Sequence, residues 1–299
     1  MYHPTFKQLK YLIAVSNNLH FGKAAKDCYV SQSTLSSGIQ ELEKLLNIKL
    51  IERTKRNVLL TPLGKQISES AQKIILEMNN VLDSAKSAQE SLTGETKLGI
   101  IPTIAPYLLP NIMPRIKKKF PKLDLRLVED QTAKILAMLY QGNLDIAIIA
   151  KPYKTEKLVV KILKKDYFYV ALPFNSPLAK DNKNNLNSHE INKSNMLLLD
   201  EGHCLREHAL QSCDAKTIKN VDAFKATSLL TLVQMVANGT GITLIPELII
   251  NSQMLKRNKI KIIQYEKKQY YRDIVMCWRA SSPRQNDFIE LKKIFLDYI

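Results

Sequence analysis

From Ile67 onward the chain sets an apolar residue at alternating steps of four and three: Ile67, Ala71, Ile74, Met78, Val81, Ala85, Ala88 and Leu92. An unbroken a/d seam of this length demands one long helix over 61–92, with an apolar stripe that needs another helix against it. No other stretch limits the fold as strongly, because it separates whatever precedes it from whatever follows. The polar residues flanking the seam favour a helix from a second chain as the partner; packing on the chain's own domain is the alternative. "SLTGET", with Gly94, is expected to close the helix and act as a hinge.

Ahead of the seam, residues 1–60 read as a compact helical unit. "TFKQLKYLIAVSNN" carries Phe6, Leu9, Leu12 and Ile13 at helical spacing, and "FGKAAKDC" is a short second helix with Ala24 and Ala25 for close packing. "VSQSTLSSGIQELEKLL" opens with Ser31 as its expected N-cap and puts Leu35, Ile39, Leu42, Leu45 and Leu46 on one face. Ser31, Gln32, Ser33, Thr34 and Ser36 are left as candidate base- and phosphate-contacting residues. A short helix, a tight turn and a second helix of this kind form the helix-turn-helix pattern, whose second helix enters a DNA major groove. "IKLIERTKRNVLLT" then reads as two short strands about a basic tip, with Arg53, Lys55 and Arg56 placed to meet phosphates. An ordinary three-helix bundle is the alternative.

Charge sharpens this only locally. The net charge is +16, yet residues 1–92 hold 12 Lys and Arg against 8 Asp and Glu, so most of the excess lies elsewhere. Between Lys44 and Lys65, however, six basic residues face one acid, Glu52. The N-terminus lacks the charged and apolar regions of a secretory signal and no run suits a membrane span, so the expected location is the cytoplasm. Four cysteines in a reducing compartment argue against a structural disulfide framework.

Beyond Gly94 the period alternates. "TKLGIIP", "APYLLPNIMPRIKKKF", "LDLRLVED", "TAKILAMLYQG" and "LDIAIIA" form a β-α-β-α-β series that predicts a parallel sheet. A second series follows, from "YFYVALP" through "MLLLD", a helix near Cys204, "DAFKAT", "SLLTLVQMVANG", "GITLIPE" and "IKIIQYE". Strand "RDIVMCWR" and helix "PRQNDFIELKKIFLDYI" end the chain. Two α/β lobes are expected, lobe I from 93–165 and 268–299 and lobe II from 166–267, with a ligand-sized crevice between them.

"AAKDCYVSQSTLSSGIQELEKLL" and "LIERTKRNVLLTPLGK" resemble the DNA-binding domain of LysR-type transcriptional regulators. "GIIPTIAPYLLP", "EDQT", "LLLDEGHCLREHALQSC", "FKATSLLTLVQMVANGTGITLIP" and "WRASSP" resemble, more narrowly, the peroxide-sensing members of that family. The resemblance implies a winged helix-turn-helix over 1–60, a linker and dimerisation helix over 61–92, and a two-lobed, periplasmic-binding-protein-like α/β regulatory domain over 93–299. It implies that Cys204 is a peroxidatic thiol and Cys213 its resolving partner, with Thr103, Thr132, His203 and Arg279 about the peroxide; Arg206 joins these pocket candidates as a cation close to the thiol in sequence. It also implies a double-stranded operator, a homodimer through the linker helix, assembly to a homotetramer, and RNA polymerase as a partner. Ser33 stands where the family has proline, and Ala223 where better-known members have histidine.

Read as chemistry, a thiolate is favoured at a helix N-terminus beside cations, and Cys204 opens "CLREHALQSC" with His203, Arg206 and His208 near it. On one continuous helix the two cysteines would stand roughly 13–14 Å apart, against about 4.4–6.8 Å for a disulfide. Bonding them would therefore require the segment to unwind or move. Cys28 and Cys277 read as small buried hydrophobes. His203, Cys204, His208 and Cys213 could offer soft-metal ligands, but regular spacing is absent and neither metal nor cofactor is expected. No P-loop, GxSxG or HExxH signature favours an enzyme.

Overall fold

Thr5 opens the first helix, α1 (Phe6–Asn18), with a reciprocal cap in which its hydroxyl accepts from the Gln8 N–H and the Gln8 side chain accepts from the Thr5 N–H. In this computed structural model, residues 3–53, 57–87, 91–180, 185–186, 190–191, 194–212, 225–250, 252, 255, 259–265 and 270–299 are described. The chain divides into units Met1–Ala88 and Gln89–Ile299.

In the first unit, α2 (Phe21–Asp27) and α3 (Gln32–Leu46) follow α1. Leu12, Val15, Ala24, Leu35, Ile39, Leu42 and Leu50 are fully buried in its core. Each large aliphatic among them contributes about 1.5–3 kcal/mol by leaving water. Leu45, expected on the same face as Leu35, is exposed. The two strands of the wing, β1 (Ile51–Arg53) and β2 (Val58–Leu60), pair antiparallel. Buried Glu43 ties them to α3, accepting from the N–H groups of Leu50 at 2.8 Å and Ile51 at 3.1 Å and from Lys49 Nζ at 3.0 Å. Burial alone would raise its pKa; these hydrogen bonds more than offset that and lower it.

The long helix α4 (Pro62–Ser87) starts tight against the wing. A Cβ on Gly64 would lie 2.0 Å from the Leu50 carbonyl oxygen, so only glycine fits there. The seam does not behave as one surface. Ala71 is 1% exposed and Ile67 is partly buried against the same core as α1, whereas Ile74, Met78 and Val81 are 52, 46 and 63% exposed. Ala85 is exposed as well. The first two seam positions are thus spent within the unit, and the apolar stripe open to a partner helix begins at Ile74. Ala88 lies outside the described residues. Leu92, expected as the last seam position, instead has φ of 53° and is buried in the second unit's core. Gly94, expected to close the helix, begins a strand.

In the second unit, β3 (Gly94–Ile100) pairs parallel with β4 (Leu123–Glu129) and β5 (Ile146–Ala150), as the alternating period requires. Helices α5 (Ala105–Lys119) and α6 (Thr132–Tyr140) are the crossovers. Every residue of β5 is buried, because it lies between β3 and β12 (Tyr271–Arg279). The sheet then turns antiparallel through β12 to β6 (Leu158–Pro173). That strand is longer than "YFYVALP" suggests: its lysine-rich first half, Leu158–Asp166, also pairs with β12. Its second half pairs with β10 (Thr243–Pro246) and β11 (Ile260–Tyr265), which belong to lobe II. One strand therefore runs through both lobes.

The remaining elements are α7 (Pro177–Lys180), β7 (Asn185–Leu186), β8 (Leu198–Leu199), α8 (Cys204–Ser212), β9 (Lys225–Ala226), α9 (Leu229–Ala237) and α10 (Gln285–Leu296). β8 and β9 pair parallel. Among the described residues no helix is long and apolar enough to cross a membrane.

Candidate functional site

The loop before α8 is pressed onto the start of α6. Gly202 has φ of 87°, and a Cβ there would stand 2.4 Å from Gln131 Oε1. Gln131 Nε2 in turn donates to the Glu201 carbonyl at 3.2 Å. This close approach carries Cys204, the first residue of α8, into the lobe junction, where it is 3% exposed. Cys204 belongs to the core of lobe I, while Leu205 and Ala209, one and five positions later, belong to two separate clusters of lobe II.

A buried arginine organises the ground beneath the thiol. Arg272, at the start of β12, donates from Nε to Asp166 Oδ2 at 2.8 Å, from Nη1 to Thr103 Oγ1 at 2.7 Å and from Nη2 to the Thr103 carbonyl at 3.2 Å. Asp166 Oδ1 also accepts from the Leu248 N–H at 2.9 Å. Arg272 and Asp166 are both buried, so each needs the other to be tolerated there. Because Thr103 Oγ1 accepts from arginine, its own proton is left to donate, and it serves Cys204. Thr132, the first residue of α6, makes no hydrogen bond of ordinary geometry; its hydroxyl acts on Cys204 and on the Tyr153 phenol.

Burial dominates the Cys204 thiol and raises its pKa; the Arg272 charge, then Thr103, Arg272 and Thr132 hydrogen bonds, pull the other way without reversing the shift. The sequence-based expectation was a thiolate favoured by the helix N-terminus with His203, Arg206 and His208; here burial outweighs the groups that favour it, and those groups are Arg272, Thr103 and Thr132. His203 is buried, with its pKa lowered by desolvation against a smaller opposing effect of Asp200. His208 is pushed down to about 4, chiefly by desolvation. Both imidazoles are neutral near pH 7, and the cation facing the thiol is Arg272.

The structure thus brings Thr103, Thr132 and Cys204 together, and neither threonine caps a helix. Arg206 is buried and donates from Nη1 to the Leu199 carbonyl at 3.1 Å, holding α8 to β8. Arg279 is not at the pocket. It donates from Nη1 to the carbonyls of Leu139, at 2.8 Å, and Leu144, and approaches Asp145 at 3.8 Å. It pairs with Leu158 at the far end of β12, whereas Arg272 pairs with Asp166. Arg272, Asp166 and Tyr153 escaped the sequence reading; the only signal was a charged pair, "RD", at the mouth of an otherwise apolar strand. Cys213 and Ala223 lie outside the described residues. Cys277 is fully buried and pushed up to about 12 by desolvation, and Cys28, half-buried, is raised by burial and then by Asp27. Among the described residues no cluster of metal-ligating side chains occurs.

At the other candidate site, Ser31 caps α3 by accepting from the Thr34 N–H at 3.1 Å. Its hydroxyl also lies 2.8 Å from those of Ser33 and Thr34, so serine at position 33 joins the cap and the helix runs through it. Ser31, Gln32, Ser33 and Thr34 are exposed and Ser36 is half-buried. Lys55, Arg56 and the Arg53 side chain lie outside the described residues.

A fold of this order, with a capped recognition helix and wing in one unit and a two-lobed α/β body in the other, matches known families. The chain belongs to the LysR family: residues 6–65 match the family described as "Bacterial regulatory helix-turn-helix protein, lysR family", and residues 89–296 match "LysR substrate binding domain". It is 40% identical over 288 residues to the HTH-type transcriptional regulator EstR of Acinetobacter baylyi, covering 95% of this chain and 94% of EstR. It is 38% identical over 282 residues to the hydrogen peroxide-inducible genes activator of Haemophilus influenzae, covering 94% of this chain and 93% of that protein. Among solved structures it resembles a full-length OxyR variant from Pseudomonas aeruginosa, with a TM-score of 0.78, 32% identity, and coverage of 99% of this chain and 95% of that one.

Proposed function

We propose that this LysR-type regulator senses hydrogen peroxide at Cys204 and answers by bonding Cys204 to Cys213. The observation that carries this reading is a thiol at the start of a helix, enclosed at the lobe junction and faced by two threonine hydroxyls and a buried guanidinium. The donors around the thiol are those that would orient a peroxide and stabilise the departing oxygen. The thiolate sulfur attacks one peroxide oxygen, the O–O bond breaks, and hydroxide leaves, giving a sulfenic acid. The Cys213 thiol then displaces that hydroxyl as water and the disulfide forms. Similarity to a hydrogen peroxide-inducible genes activator and to OxyR supports the same chemistry.

The DNA partner is a duplex operator met by Ser31, Gln32, Ser33, Thr34 and Ser36, with Arg53, Lys55 and Arg56 at its phosphates. Homodimers form through the exposed part of the α4 seam, at Ile74, Met78, Val81 and Ala85, and pair into a tetramer; RNA polymerase is the downstream partner.

Dimedone trapping with non-reducing peptide mapping tests the sensor. Cys204→Ser should lose the response, Cys213→Ser should stop at the sulfenic acid, and Cys28→Ser and Cys277→Ser should behave as the parent. An operator footprint that still answers to peroxide in Cys204→Ser would defeat the mechanism and move the reading to an effector in the cleft between the lobes.

A further inference from the structure

Cys204 and His208 stand one helical turn apart on α8, so both project from the same face, toward lobe I. Cys204 enters the lobe I core. His208 Nε2 meets the carbonyl oxygen of Lys151, just beyond β5. A carbonyl can only accept, so Nε2 carries the imidazole proton and donates it. Lys151 is itself fixed, since its N–H donates to the Asp273 carbonyl on β12 at 3.0 Å. On its other side the His208 ring lies 5.8 Å from the ring of Phe168 on β6. The charged groups acting on the imidazole are Arg272 of β12 and Asp166 of β6.

We infer that His208 is a positioning residue: its hydrogen bond to Lys151 latches α8 to lobe I and sets how readily Cys204 leaves its pocket to meet Cys213. This rests on the peroxide-sensing reading above. The latch bears on only one of the two chemical steps. Sulfenic acid formation consumes peroxide and releases hydroxide with Cys204 still docked. The second step joins the two sulfurs and releases water, and Cys204 cannot turn away from lobe I while the residue one turn along the same face stays bonded there. Loss of the latch therefore leaves the first step alone and accelerates the second.

The two steps can be timed separately in the full-length protein. Dimedone capture in a Cys213→Ser background reports the first, and rapid acid quench with alkylation and mass spectrometry reports the second. His208→Phe keeps an aromatic ring beside Phe168 but has no donor, His208→Gln supplies a replacement N–H, and His208→Leu is a second donor-free variant should the larger ring prevent folding. Sulfenic acid formation should stay within about twofold of the parent, while disulfide formation in the donor-free variants should be up to about tenfold faster, the scale of one hydrogen bond. Their thiol–disulfide balance against glutathione should shift toward the disulfide, with His208→Gln near the parent. A second step at the parental rate in a folded donor-free variant overturns the latch, as does slowing of both steps together. If parental Cys204 forms no sulfenic acid, the sensing reading fails first and takes the latch with it.

Discussion

Two helices of this chain begin with a small side chain bearing one heteroatom, and their surroundings are opposite. Ser31 starts α3, caps it through the Thr34 N–H, and precedes a face of Leu35, Ile39 and Leu42 that enters a single core. Cys204 starts α8, whose Cys204, Leu205 and Ala209 are divided among three clusters. A helix seated in one core persists as long as that core does. A helix shared among three depends on how those three are arranged, which suits the departure of Cys204 that the proposed disulfide requires.

The contrast can be broken most forcefully at Arg272. Arg272→Leu strands Asp166 in the interior and should cost about 3–5 kcal/mol. Urea unfolding followed through the single tryptophan, buried Trp278 beside Phe288, reads the loss where it occurs. A cost no greater than that of a surface change would mean the α8 pocket is not held by its ion pair.

Acid should produce the next largest effect. His208 has its pKa lowered from 6.5 to about 4, so the folded state favours the neutral ring. The stability tied to that preference is complete above pH 6.5 and lost as pH falls toward 4, amounting to about 3 kcal/mol. His208→Gln should be less acid-sensitive than the parent by that amount over this window, and parallel pH profiles would contradict it.

On the α3 side, Glu43→Leu leaves the buried N–H groups of Leu50 and Ile51 without their acceptor and should cost about 2 kcal/mol. Calorimetry should show the loss, and operator affinity should fall with it; an unaltered melting profile would show that the wing does not hang on this carboxylate. Smallest is Ser31→Ala, at about 1 kcal/mol for a lost cap. Circular dichroism on melting resolves this, and no change would shift the capping role to Ser33 and Thr34.

What could be read from the sequence follows from the range over which each interaction acts. The Ser31 cap, the β-α-β-α-β order and the α4 stripe depend on neighbours within a few positions, and spacing exposes them. The pocket depends on pairing between distant strands. Arg272 and Arg279 both flank the same apolar run, and only the register against β6, Asp166 for one and Leu158 for the other, tells which of them lies under Cys204. The first half of β6 was hidden for a related reason: "LVVKILKKD" exposes lysines along its length, so burial alternates too weakly to mark a strand. The split of the α4 seam was equally hidden, since Ala71 and Met78 occupy equivalent heptad positions yet one is buried and the other exposed, and α1 packs on only the early part of the helix.

The strand β6 also bears on how the regulatory unit comes apart. Its ladder to β12 on one half and to β10 and β11 on the other leaves no peptide link at which one lobe could melt while the other stayed paired. Amide protons at the middle of β6 should therefore exchange only through global opening and belong to the slowest set in the molecule, with both lobes forming a single foldon.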